Sequence, residues 1–283
     1  PRVRALRPAA IDLAQRGGAV VRKTKGEGDE FFSLRDYVPG DDLRFLDWRV
    51  WGRSDRHYIK QFEETTNLSC MLFVDCSGSM GIKEENGITK FEYSVMAAGA
   101  LGYLMSRQGD GVGLYAVSGG NTLYIPPKGG RKHLFSVLAN LSRLTPEGSV
   151  PLPEALDGLA SRISQRGMVL LFSDLLWPTR DVIQALKRLH RRRSDLIAFE
   201  VLTRSELSFP YEGMTEFEDI ENGHRLLTQP SLVREVYVET MMQHRRMIAH
   251  TAAEQESDVV ELHPDESLAS VLPAYLMRRA RLL

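Results

Sequence analysis

The chain has 283 residues, 43% hydrophobic and 26% charged, with a formal net charge of -1. That length holds one or two domains with a large core, and the near-zero charge excludes a molecule built as a whole to attract nucleic acid or anionic lipid. Cys70 and Cys76 form neither a disulfide framework nor a zinc spacing, no apolar run nears the roughly 18 residues that span a bilayer, and no signal peptide is recognisable, so a cytoplasmic protein is expected.

Residues 1–66 read as a β-rich segment, with GAVVRKTK, EFFSLRDYV and RHYIKQFEE as strands carrying polar interruptions. Between them, Pro39-Gly40 suits a type II turn and Asp41 or Asp42 can cap a short helix. Arg44 and Asp47 are spaced to pair on that helix, and Phe45 and Trp48 to lie on its apolar side. These acids read either as a catalytic set or as a buried Asp/Arg/Trp network tying the segment to the rest. The second reading is the one adopted.

Residues 67–204 alternate strands and helices. Met71–Val74 is a continuous apolar run, as in a strand buried on both faces. A helix of about Lys90–Arg107 follows, with Phe91, Val95, Ala98, Leu101 and Met105 near helical spacing and a capping box of Thr89 and Glu92. Next come strands at Val112–Val117 and near Thr122–Ile125, a Pro126–Gly130 loop, and helices at about Arg131–Leu144 and in PLPEALDGLASRI. MVLLFSD is a second apolar strand, a helix of about Arg180–Arg191 follows, and DLIAFEVL is a third strand. The basic run Lys187–Arg193 reads as a solvated helix end.

In residues 205–230, Asn222-Gly223 signals a β-hairpin, expected to pack with the N-terminal segment. Residues 231–283 read as a long helix of about Ser231–Ala253 with His244 and His250 exposed, a strand at Asp258–Leu262, and a last helix interrupted by Pro273. The expected fold is α/β: a doubly wound, mostly parallel, Rossmann-type sheet with a small β-rich subdomain from the flanks.

Two apolar strands end in acids, Val74-Asp75 and Ser173-Asp174. In open α/β sheets ligands bind beyond the carboxyl ends of the strands, where strand order reverses. Strands adjacent across that point would bring Asp75 and Asp174 together, with Ser77 and Ser79 adding two hydroxyls. These are hard oxygen donors of the kind magnesium takes. The alternative is that Asp75 and Ser77 cap the loop and the next helix. No Walker A, G-x-S-x-G or H-E-x-x-H motif is present.

DCSGSM resembles the Asp-x-Ser-x-Ser signature of von Willebrand factor A domains, whose metal-ion-dependent adhesion site uses those residues. LLFSDLL matches the later aspartate of that site, Asp174. The usual threonine loop aligns with EGSVPL, Glu147–Leu152, which puts Val150 at the threonine position and leaves Ser149 as a substitute ligand. Leu34–Glu64 carries Arg35, Tyr37, Pro39, Gly40, Asp41, Asp42, Arg44, Asp47 and Trp48 in a pattern similar to the domain of unknown function family number 58. Members of that family pair this motif with a von Willebrand A-like domain, and the resemblance covers about residues 20–280.

The resemblance implies a Mg2+ or Mn2+ site at Asp75, Ser77, Ser79, Asp174 and Ser149, weakened by Val150. It implies a non-enzymatic interaction module whose cation bridges an acidic residue on a protein partner, with a MoxR-type AAA+ ATPase as companion. The competing reading is a metal-dependent phosphoesterase using Asp75 and Asp174, for which only Glu84, Glu85 and Glu147 offer a base. Leu175, Leu176 and Trp177 read as a hydrophobic anchor at the rim, or as packing against the next helix.

Overall fold

The structure, a computed structural model, describes residues 25–38, 46–48, 50, 57–63, 68–163, 167–191, 194–220 and 223–280. They fall into two compact units, one within residues 17–67 and one from Leu68 onward.

In the smaller unit, β1 (Lys25–Asp36) and β2 (Tyr58–Glu63) pair antiparallel, with register shifts in the first half of β1. The Tyr37 amide donates to the His57 carbonyl and the Asp47 amide to the Tyr58 carbonyl. Leu46 bridges Ile59, and both are buried. The Pro39-Gly40 turn, the Asp41 and Asp42 caps, Phe45, and the Arg44 half of the expected ion pair lie outside the described residues. Asp47 Oδ1 accepts from the Val50 amide at 3.2 Å. Trp48 is 56% exposed, so the expectation of a buried tryptophan is corrected. The residue that turns inward is Leu46, drawn to Ile59 by the bridge.

The larger unit is built on a six-stranded sheet. In chain order its strands are β3 (Ser69–Asp75), β4 (Gly111–Ser118), β5 (Asn121–Lys128), β6 (Gly167–Ser173), β7 (Asp195–Val201) and, after the hairpin strands β8 (Thr215–Glu218) and β9 (Arg225–Thr228), β10 (Asp258–Leu262). The spatial order is β10-β7-β6-β3-β4-β5, parallel throughout except for β5 against β4. The helices are α1 (Lys90–Arg107), α2 (Arg131–Leu141), α3 (Leu152–Arg162), α4 (Thr179–His190), α5 (Arg204–Ser208), α6 (Pro230–Ala253) and α7 (Leu268–Ala280).

Strand side chains alternate faces, and here both faces are covered. Cys70, Leu72 and Val74 join one apolar cluster with Ala97, Leu101, Phe172 and Phe199. Met71 and Phe73 join the other with Leu156, Leu171, Leu189 and Ile248. This is why the central strands read as unbroken apolar runs.

Two local differences from the expected elements have physical causes. β5 continues through Pro126 and Pro127 to Lys128, which an edge strand tolerates because proline's missing donor faces no further strand. α7 runs through Pro273 rather than breaking there. The lost hydrogen bond is the one to Ala269 in the first turns, while Leu272 and Tyr275 stay anchored in the core. The β8–β9 hairpin forms its own two-stranded sheet and groups with the larger unit. Stacking of Phe209 on Tyr237 at 4.4 Å and on Phe217 at 5.3 Å holds it there. Asn222 of its turn lies outside the described residues. Among the described residues, no helix is long and apolar enough to cross a membrane.

Candidate functional site

Strand order reverses between β3 and β6, which pair in parallel from Ser69↔Gly167 to Val74↔Phe172. Asp75 is the last residue of β3, and Asp174 directly follows β6. Their carboxylates meet Ser77, Ser79, Val150, Leu152, Leu176 and Trp177 around a crevice of about 20 Å³. That is room for roughly one water-sized body. After Ser77 the chain winds into a short 3-10 turn, Gly78–Gly81, which buries Gly78 and Met80 and leaves Ser79 half-exposed at the crevice.

The structure thus brings together Asp75, Ser77, Ser79 and Asp174, and not Ser149. Ser149 is exposed, and its neighbour Val150 is buried against the crevice. The loop is clamped by backbone. Gly78 donates to the Gly148 carbonyl at 2.7 Å, Glu147 to that of Cys76 at 2.8 Å, and Gly119 to that of Glu147 at 3.0 Å. Gly148 has φ +69°, and a Cβ there would meet Gly119 Cα at 3.2 Å. The clamp decides which side chain turns in, and Val150 joins Leu152 in the second apolar cluster.

Each carboxylate is held at both oxygens. Asp75 Oδ1 accepts from the Ser77 amide at 2.9 Å, and Oδ2 from the Ser173 hydroxyl at 2.6 Å. Asp174 Oδ1 accepts from the Leu176 amide at 3.1 Å, and Oδ2 from the Ser79 hydroxyl at 3.0 Å. Since the Ser79 proton goes to Asp174, Ser77 is the donor in the 3.1 Å contact between the two hydroxyls. Both hydroxyl-bearing residues line the crevice.

The residue that sequence reasoning missed is Lys90. Its side chain is fully buried, with Nζ 2.8 Å from Asp174 Oδ2 and 2.6 Å from Glu206 Oε1. A signal for it existed. Lys90, Ser94, Ala97, Ala98 and Leu101 form one i, i+4, i+7, i+8, i+11 stripe, all buried, with a lysine at its head. A lysine on a core stripe needs buried acids.

The two crevice acids are pushed apart. Burial, and then the nearby Asp174 charge, raise the Asp75 carboxyl from 3.8 to about 6. Burial also acts to raise Asp174, but the Lys90 ammonium and the hydrogen bonds from Lys90, Leu176 and Ser79 outweigh it and hold the carboxyl below its ordinary value. Burial alone would lower Lys90; its two carboxylate partners raise it instead, so it stays charged.

The rim is also over-determined. Leu175 has φ 56°, a left-handed conformation that costs a branched residue on the order of 1 kcal/mol or more. Its amide donates to the Ser173 hydroxyl at 3.1 Å, and its carbonyl accepts from the Trp177 amide at 2.9 Å and from His244 Nε2 at 3.0 Å. Because that nitrogen donates, Nδ1 is the acceptor for Thr179 Oγ1 at 2.8 Å. His244 is half-buried, not exposed as expected, and burial lowers its pKa. Leu175 is buried in the second cluster, so of the three candidate anchors only Leu176 and Trp177 line the crevice.

Among the described residues, no group of three or more His, Cys, Asp or Glu side chains is placed to hold a metal ion. The crevice offers instead two carboxylates completed by two hydroxyls, donors that suit a hydrated hard cation in kind. None of the candidate bases lines it. Glu84 is buried and accepts from the Arg204 amide at 2.8 Å, and Glu85 and Glu147 are exposed elsewhere.

Residues 33–247 match the model of the family described as "Protein of unknown function DUF58". An uncharacterized protein of Mycobacterium tuberculosis and one of Mycobacterium bovis are each 27% identical over 261 residues, covering 90% of this chain and 81% of the relative. Among solved structures, an aerotolerance-related membrane protein from Bacteroides fragilis, carrying multiple mutations to serines, superposes with a TM-score of 0.51 at 14% identity, over 77% of this chain and 100% of that one. The hypothetical protein BatB from Bacteroides thetaiotaomicron gives 0.49 at 14% identity (76% and 100% covered), and the SpRpn10 VWA domain 0.43 at 12% (75% and 95%).

Proposed function

The chain belongs to the DUF58 family, with a von Willebrand A-like core, and from that premise we propose that it is a non-enzymatic protein-binding module whose docking site is the crevice at the sheet's switch point. The observation that carries this reading is the convergence of Asp75, Asp174, Ser77 and Ser79 beside Leu176 and Trp177. A hydrated Mg2+ or Mn2+ ion there would present an open coordination position to an acidic residue of a partner. Ser77 and Ser79 supply oxygen lone pairs, and Asp75 and Asp174 supply negative charge. Val150 supplies nothing, which makes the site weak. Leu176, 37% exposed, and Trp177 give the partner an apolar lip. The family resemblance points to a MoxR-type AAA+ ATPase as that partner.

Hydrolysis is the weaker reading, because among the described residues the only acids lining the crevice are the two that would hold the ion. The test is calorimetry with Mg2+ and Mn2+, paired with capture of a purified MoxR-type ATPase with and without Mg2+. Asp75→Ala is expected to weaken cation binding about tenfold or more and to abolish the Mg2+-dependent part of capture. Unchanged cation affinity in the variant would remove Asp75 from the site. Capture indifferent to Mg2+ would remove the bridging role.

A further inference from the structure

We infer that Lys90 is a built-in counter-cation of the crevice, locked between Asp174 and Glu206 so that it limits how tightly a divalent ion is held beside Asp75 and Asp174. The inference rests on the cation reading proposed above.

Three observations carry it. First, the ammonium cannot swing out to water. Its side chain is fully inaccessible and spans 2.8 Å to Asp174 Oδ2 and 2.6 Å to Glu206 Oε1. Both ends of the bridge are fixed from behind. The Thr89–Glu92 capping box starts α1, and the Lys90 amide donates to the Ile82 carbonyl at 3.0 Å. Glu206 sits in a second capping box. Its Oε2 accepts from the Thr203 amide at 2.8 Å, and its carbonyl accepts from Tyr237 Oη at 3.0 Å.

Second, Lys90 competes for a specific atom. Asp174 Oδ2 already accepts from both Lys90 and Ser79, which uses its two lone pairs. An ion in the crevice could reach Asp174 directly only through Oδ1, which itself accepts from the Leu176 amide.

Third, the charges are ordered by distance from the crevice. Asp174 lines it, Lys90 lies one contact behind, and Glu206 lies behind Lys90. Buried charges are poorly screened, so a second cation one carboxylate away repels an incoming ion. Glu206 draws Lys90's field back and softens that repulsion.

This ordering predicts opposite effects from the two partners, which a merely structural triad would not give. The experiment is calorimetric titration of the full chain with MnCl2 at fixed ionic strength, for wild type, Lys90→Met, Glu206→Gln and the Lys90→Met/Glu206→Gln double variant. Glutamine keeps the capping box. The double variant removes Glu206 along with Lys90, so it leaves one fewer uncompensated buried acid than Lys90→Met alone and serves where that single variant does not fold. Lys90→Met is expected to tighten Mn2+ binding about tenfold or more, the double variant by about severalfold, and Glu206→Gln to weaken it by about severalfold.

Affinity at or below wild type in both Lys90 variants would overturn the inference while leaving the cation site standing. Tightening by Glu206→Gln equal to that by Lys90→Met would overturn it as well, since general loosening would then explain both. Binding by the Lys90 variants without binding by wild type would support the inference and sink the reading that the native chain carries an ion. Absence of binding in every protein would sink both.

Discussion

At the scale of single residues, the crevice places two aspartates in one small space and gives them opposite electrostatic surroundings. Asp174 has an ammonium partner; Asp75 has only hydrogen-bond donors and a like-charged neighbour. Burial, and then the Asp174 charge, outweigh those donors and raise the Asp75 carboxyl from 3.8 to about 6. A raised acid keeps, in the folded state, a proton that the unfolded chain has already released. Stability then falls as pH climbs between those two values, and the loss is complete above the higher one. Asp75→Asn removes that loss while keeping an acceptor for the Ser77 amide. With chelator present, the variant is expected to be more stable than wild type by about 2 kcal/mol near neutral pH and no more stable below about pH 4. Urea unfolding at both pH values measures this. An equal difference at the two would mean that Asp75 is not the strained acid.

At the scale of elements, the parts written in hydrophobic period and cap chemistry were legible. α1 begins and ends at Lys90 and Arg107 as its apolar spacing and the Thr89–Glu92 box dictate, and β10 spans Asp258–Leu262 as read. The convergence of Asp75 and Asp174 was legible too, because two acid-ended buried strands in a doubly wound sheet have few places to go. What was not legible depends on which segment faces which. Pro126-Pro127 passes for a loop unless β5 is known to be an edge. Likewise, the inward turn of Val150 is set by a clamp of Gly78, Gly119 and Glu147 from three separate loops. A similar backbone approach sits at Gly113, beside the register shift between β4 and β5. A Cβ there would lie 2.7 Å from the Ile125 carbonyl oxygen and from the Pro127 nitrogen, atoms that cannot swing aside. Gly113→Ala should cost about 2–3 kcal/mol, read as a lowered melting temperature. An unchanged value would show that β5 can move off β4 without loss.

At the scale of the whole molecule, the most motif-rich stretch and the best-packed stretch lie in different units. The signature around Arg35–Trp48 identified the family, yet Trp48 is largely exposed in its own unit. Aromatic residues in a signature do not by that fact belong to a core, and sequence alone has no measure of which way such a ring turns. The core of the larger unit is carried instead by unremarked residues such as Phe172, fully buried and stacked on Phe199 at 4.8 Å. Two substitutions separate these roles. Phe172→Ala opens a cavity between sheet and helix and is expected to cost about 3–5 kcal/mol, with a matching fall in the main thermal transition. Trp48→Ala removes a half-solvated ring and is expected to cost about 1 kcal/mol or less in that same transition. Scanning calorimetry on the intact chain reads both. A loss from Trp48→Ala as large as that from Phe172→Ala would show that the ring is stabilising well beyond its exposure, and that the two units unfold as one.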